Sequence, residues 1–131
     1  MMVFTANQLV AHAVGDYVLQ SDYMANNKTK QSFACFLHVV FYALPFVLMT
    51  RSPSAVLFIA GTHFVIDRWR LARFVCWAKN FLGPRSSWAP WSDCVATGYP
   101  SARPPWLSVW LLIIADNLMH VCMNAVALNY L

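Results

Sequence analysis

Three histidines in this 131-residue sequence stand four positions from an aspartate: His12 and Asp16, His63 and Asp67, and, in reversed order, Asp116 and His120. Positions i and i+4 share one face of an α-helix, so each pair presents two donor groups in one direction. A neutral imidazole and a carboxylate are ligands for zinc, iron or manganese, and inward-facing motifs on neighbouring helices are how bundles build metal sites. The sequence therefore predicts a divalent transition-metal site, one ion or two, with zinc first and iron or manganese as alternatives. Its expected ligands are His12, Asp16, His63, Asp67, Asp116 and His120. The fourth histidine, His38, is expected in the same layer as a ligand or a general base, which makes His38 and Asp16 the catalytic candidates. Two ions would activate water and stabilise both oxygens of an in-line displacement on phosphorus. Two other readings of the pairs stay open: a buried hydrogen-bond network that fixes helix register, and a proton or ion pathway.

The elements that carry these pairs are apolar. Hydrophobic residues make up 60% of the chain and charged ones 11%, against about 25% charged in an ordinary soluble domain. Helices are predicted over about 3–20, 32–50, 54–80 and 106–130, each near the roughly 20 residues that cross a bilayer. The fold expected is an all-α integral membrane bundle of about four transmembrane helices, forming a single domain over residues 1–131. The first segment, with His12 and Asp16 inside it, would insert poorly alone and must pack against partners. In an antiparallel bundle the reversed order of Asp116 and His120 puts all three aspartates on the same side of all three histidines. His38 lies about two turns into the second helix. Pro45 is placed to kink that helix, which a membrane bundle tolerates, and Gly15 to allow close helix approach.

Charge sets the expected orientation. Lys28, Lys30, Arg68, Arg70, Arg73, Lys79, Arg85 and Arg103 fall on one side of such a bundle and Arg51 alone on the other. By the positive-inside rule the first group faces the cytoplasm, with both termini outside, in a bacterial inner membrane. Lys28, Arg68 and Arg70 are then the candidate substrate-binding cations, with Gln20 and Asp22 beside them at the cytoplasmic mouth. A phosphoester substrate or an anionic lipid headgroup would satisfy them equally. The third connection, Gly83 to Pro105, holds five prolines with Trp88, Trp91 and Tyr99. It is expected as a non-helical loop, serving as an interfacial anchor or as a lid.

Several function classes are excluded. The basic residues are not interleaved with aromatics on a polar face, which argues against nucleic acid despite a net charge of +4. Cys35, Cys76, Cys94 and Cys122 form no CxxC pair and imply neither a disulfide framework nor a zinc ribbon. There is no nucleophilic serine elbow, phosphate-cradling glycine loop or dinucleotide fingerprint. The opening Met-Met-Val-Phe lacks a basic n-region, so the first apolar segment is expected to be retained. The bilayer is the expected partner, and a homo-oligomer is left open.

The run His12-Ala-Val-Gly-Asp16-Tyr-Val-Leu-Gln20-Ser-Asp22-Tyr-Met24-Ala-Asn-Asn-Lys28 resembles the opening of a family of small bacterial and phage membrane proteins classed as a domain of unknown function. His38, Thr62-His63-Phe-Val-Ile-Asp67-Arg68 and Ala115-Asp116-Asn-Leu-Met-His120 look like that family's later motifs. In place of the lysine that the resemblance implies after Asp67, Arg68 and Arg70 stand nearby. A more distant likeness, in intramembrane His and Asp motifs, is to predicted membrane-bound metal-dependent hydrolases thought akin to zinc phospholipases. That likeness implies a phosphoester or lipid-linked substrate.

Overall fold

Thr5 begins the first helix by accepting a hydrogen bond from the Gln8 backbone N–H, which satisfies one of the donors a helix start leaves over. The computed structural model describes residues 1–131 and is built from helices alone. In chain order these are α1 (Ala6–Ala13), α2 (Asp22–Asn27), α3 (Ser32–Met49), α4 (Pro53–Trp69), α5 (Ala72–Lys79), α6 (Trp91–Cys94) and α7 (Pro105–Tyr130). The chain divides into two compact units, one of Met1–Trp69 with His120–Leu131, the other of Arg70–Met119.

In the first unit, α1 does not continue as an α-helix to residue 20 as the sequence predicts. It widens at Val14–Val18 into a π-helical turn that buries Gly15 and Asp16. Such turns cluster at functional sites because one extra residue re-aims the side chains around it. Gly15 is required there by contact: a Cβ would lie 2.6 Å from Tyr42 Cδ2 and 3.0 Å from the Tyr42 carbonyl. The polar segment after it is also helical, since Ser21 caps α2 through the Met24 N–H. Pro45 lies within α3, which runs on to Met49. Proline opens α4, where a missing N–H costs nothing.

Beneath the polar side chains lies a small apolar core of Ala11, Tyr42, Phe46, Ala55, Ile59 and Ala127. Amide groups tie its elements together: Gln8 Nε2 donates to the Val121 carbonyl at 2.6 Å. At the chain end, Asn129 accepts from the Val3 N–H and donates to its carbonyl, both at 3.0 Å. The polarity of this unit is inverted. Gln8, His12, Asp16, His38, His63, Asp67, His120 and Asn124 are buried, while Phe33, Phe36, Leu44, Val47, Leu48 and Leu57 face outward. In water this arrangement is expensive; in hydrocarbon it is the expected one. Two helices, α3 and α7, are long and apolar enough to cross a membrane. α4 is 17 residues long and α1 is eight.

The predicted third helix over 54–80 is two helices, because Arg70 adopts a left-handed backbone (φ 53) that ends α4. Nothing in an arginine favours that conformation, which costs a non-glycine residue of order 1–3 kcal/mol. Within the second unit the Arg70 guanidinium donates to the Ala96 carbonyl at 2.7 Å, and Arg73 donates to the Val95 carbonyl at 3.1 Å. The connection expected as a non-helical loop, Gly83 to Pro105, contains α6 and a short 3₁₀ turn, Arg85–Ser87, and another such turn, Asn80–Leu82, precedes it. Trp91 stacks on Phe74 and meets Trp77 edge-on. Gly98, with φ 83, is the glycine this packing needs, since a Cβ there would collide with the Arg73 carbonyl.

Two glycines give a matched prediction. Gly15→Ala drives a methyl into Tyr42 and should destabilise the protein by about 1–3 kcal/mol. At Gly61 a Cβ meets nothing within 4 Å, and Gly61→Ala should be neutral or stabilising by up to about 1 kcal/mol. Thermal melts of both variants in detergent check the sign of each change.

Candidate metal centre

Asp16, His38, His63 and Asp67 converge from the π-helical turn, α3 and α4 of the first unit. Each offers one ligand atom, and the four atoms lie within 4.8 Å of one another. His38 Nε2 is 2.9 Å from His63 Nε2, 3.1 Å from Asp16 Oδ1 and 3.3 Å from Asp67 Oδ2. His63 Nε2 is 3.4 Å from Asp16 Oδ1 and 3.1 Å from Asp67 Oδ2. A tetrahedral zinc ion with bonds of about 2.0–2.2 Å holds its ligand atoms about 3.3–3.6 Å apart. The five separations that involve His38 or His63 are therefore within a few tenths of an ångström of the edge one ion demands.

Hydrogen bonding alone does not explain the convergence. His38 Nε2 faces His63 Nε2, two carboxylate oxygens and an ammonium, yet an imidazole nitrogen carries one hydrogen or one lone pair. The outward nitrogens, His38 Nδ1 and His63 Nδ1, are buried without a partner. A proton on each Nδ1 leaves both Nε2 lone pairs directed inward, the form that ligates a metal. Ring contacts rather than outer hydrogen bonds hold the imidazoles. His63 is stacked between Tyr42 at 3.6 Å and His120 at 3.9 Å.

Two of the remaining expected residues, His12 and His120, bear on the outer carboxylate oxygens of the cluster. His12 Nδ1 bonds the Tyr42 hydroxyl at 2.9 Å and stands 3.5 Å from Asp16 Oδ2, the oxygen turned away from the cluster. It is therefore placed to orient Asp16. His120 Nε2 is 3.1 Å from Asp67 Oδ1, also the outer oxygen. Asp116 lies one turn before His120 on α7, half-buried, in the stretch grouped with the second unit.

Of the three cations expected to bind substrate, Lys28 enters the cluster itself. Its ammonium is 2.8 Å from Asp67 Oδ2, 3.3 Å from His38 Nε2 and 4.0 Å from Asp16 Oδ1. Arg68 joins α4 to the turn before α3, donating to the Thr29 carbonyl at 3.0 Å and to Ser32 Oγ at 3.2 Å. Arg70 belongs to the second unit and is engaged with Ala96.

Sequence reading missed Tyr42 and Asn124. The Tyr42 hydroxyl links His12 to the amide of Asn124, which donates to it at 2.7 Å. Tyr42 stands four residues from His38, the spacing that flagged the aspartates, and that was the available signal.

A model of the family described as protein of unknown function (DUF3307) matches residues 4–94, and the chain belongs to that family. The matched stretch contains all four convergent ligand residues, Lys28 and Tyr42. No curated protein and no solved structure matches the chain.

Tyr42→Phe removes the hydroxyl bonded to both His12 and Asn124, so it should cost about 1–3 kcal/mol of stability. Denaturant unfolding in detergent measures the loss. A change below about 0.5 kcal/mol would show that the hydroxyl does not hold His12 and Asn124 in place.

Proposed function

We propose that this DUF3307 chain is an integral membrane protein whose helical bundle binds a divalent transition metal, zinc first, through Asp16, His38, His63 and Asp67. The observation that carries this reading is the meeting of four buried ligand atoms within 4.8 Å of one another, with His38 and His63 at 2.9–3.4 Å from each other and from both carboxylates. The inverted polarity of the first unit and the length of α3 and α7 support the membrane placement. α1 and α4 are the other two helices of the proposed bundle. The positive-inside rule then puts both termini outside the cytoplasm.

For activity, the reading is hydrolysis of a phosphoester or lipid-linked substrate at the cytoplasmic face. A divalent ion at this place supplies Lewis acidity and lowers the pKa of a bound water. Catalytic zinc usually keeps three protein ligands and one open position, whereas four close the site. On the hydrolase reading Asp16, His63 and Asp67 would suffice to hold the ion, and His38 Nε2, a ligand in the resting site, would be released to accept a proton as the base. His12 orients the Asp16 carboxylate, and His120 orients that of Asp67. A structural polar network is the second reading, favoured by the 2.8 Å Lys28–Asp67 ion pair. It leaves the oversubscribed His38 Nε2 unexplained.

Elemental analysis of protein purified without chelators should find about one equivalent of metal, falling below about a tenth in His63→Ala and in Asp67→Asn. Wild type carrying less than a tenth of an equivalent sinks the metal reading. The hydrolase reading is separable. His38→Ala should keep its metal but lose at least about 100-fold in turnover of a chromogenic phosphodiester, a loss typical of a missing general base. Equal turnover by wild type and His38→Ala would remove the catalytic role.

A further inference from the structure

The ammonium of Lys28 touches the same atoms that would hold the ion: Asp67 Oδ2 at 2.8 Å, His38 Nε2 at 3.3 Å and Asp16 Oδ1 at 4.0 Å. Lys28 stands at the end of α2, and its side chain is only 17% exposed. A long, flexible stem lets a lysine ammonium reach such a point or swing out of it.

From this overlap we infer that Lys28 is a built-in counter-cation of the metal site, exchanged for the ion when the ion binds. The inference rests on the metal reading above. Two buried carboxylates as close as Asp16 and Asp67 need a positive partner, and Lys28 supplies it. The partner and a metal are incompatible at His38. Its Nε2 has one lone pair, which either accepts from the Lys28 ammonium or binds the ion. Asp67 Oδ2 has lone pairs enough for both, but a divalent ion within bonding distance repels an ammonium held on the same oxygen.

Lys28 must therefore leave His38 as the ion enters, and its departure opposes metal binding. Two consequences follow. Lys28 lowers the affinity of the site for metal, keeping it exchangeable. Once displaced, the ammonium remains tethered beside the site, where it can meet an anionic group of a substrate. Arg68, fixed by Thr29 and Ser32, takes no part in the exchange.

Zinc affinity, measured in detergent by competition with a chromophoric chelator, tests this directly in wild type and in Lys28→Met, which keeps the stem and removes the charge. The variant should bind zinc at least tenfold more tightly, whereas Arg68→Gln should match wild type. Equal or weaker binding by Lys28→Met overturns the exchange while leaving the metal site intact. No zinc in any of the proteins overturns the metal reading and the exchange with it. A second measurement needs no variant. Amine labelling of wild type, read by mass spectrometry, should rise severalfold at Lys28 on zinc saturation and stay constant at the exposed Lys30. Unchanged labelling of Lys28 in zinc-saturated protein counts equally against it.

Discussion

The carboxylate of Asp67 is the group on which the rest of the first unit depends. It is almost fully buried on α4, and both of its oxygens are engaged. Oδ2 faces His38, His63 and Lys28, and Oδ1 faces His120. A lone carboxylate in such surroundings costs several kcal/mol. Each polar residue around it is thus tied to one requirement, that this charge be met by opposite charge and donors. Lys28 at the end of α2, His38 on α3, His63 on α4 and His120 near the end of α7 all send a side chain to it, so one carboxylate links four elements.

That requirement accounts for the inverted polarity. Histidines, aspartates, Gln8 and Asn124 occupy the interior and leave room for only a small apolar core, largely of alanines with Tyr42, Phe46 and Ile59. The large apolar side chains then lie outside. Close helix approach follows too, because short polar side chains meet only when backbones are near. Gly15 against Tyr42, in the π-helical turn after α1, is one such close approach. The π-helical turn around Gly15 also turns Asp16 so that one oxygen joins the cluster while the other faces His12.

The second unit solves a different problem. Its proline-rich segment cannot form long helices, and its order comes from aromatic stacking around Trp91, from arginines bonded to loop carbonyls, and from Gly98. The prolines mark where helices stop, but they do not say which rings will meet.

How much of this was legible in the sequence depends on distance along the chain. His63 and Asp67 lie four residues apart on one α-helix, and their atoms stand 3.1 Å apart because helix geometry is local. His12 and Asp16 remain at 3.5 Å even across the junction with a π turn. Apolar segments of helical length likewise determined an all-helical chain, and the paired spacing marked His12, Asp16, His63, Asp67 and His120, which are buried. Tertiary structure alone decided the remainder. Lys28 reaches Asp67 across 39 residues, Tyr42 meets Asn124 across 82, and Arg70 takes a left-handed backbone whose guanidinium is held by the Ala96 carbonyl. The physical reason is the same in each case. Spacing fixes which side chains share a face, whereas the atom that finally satisfies a buried charge or a strained backbone is chosen by packing between distant segments.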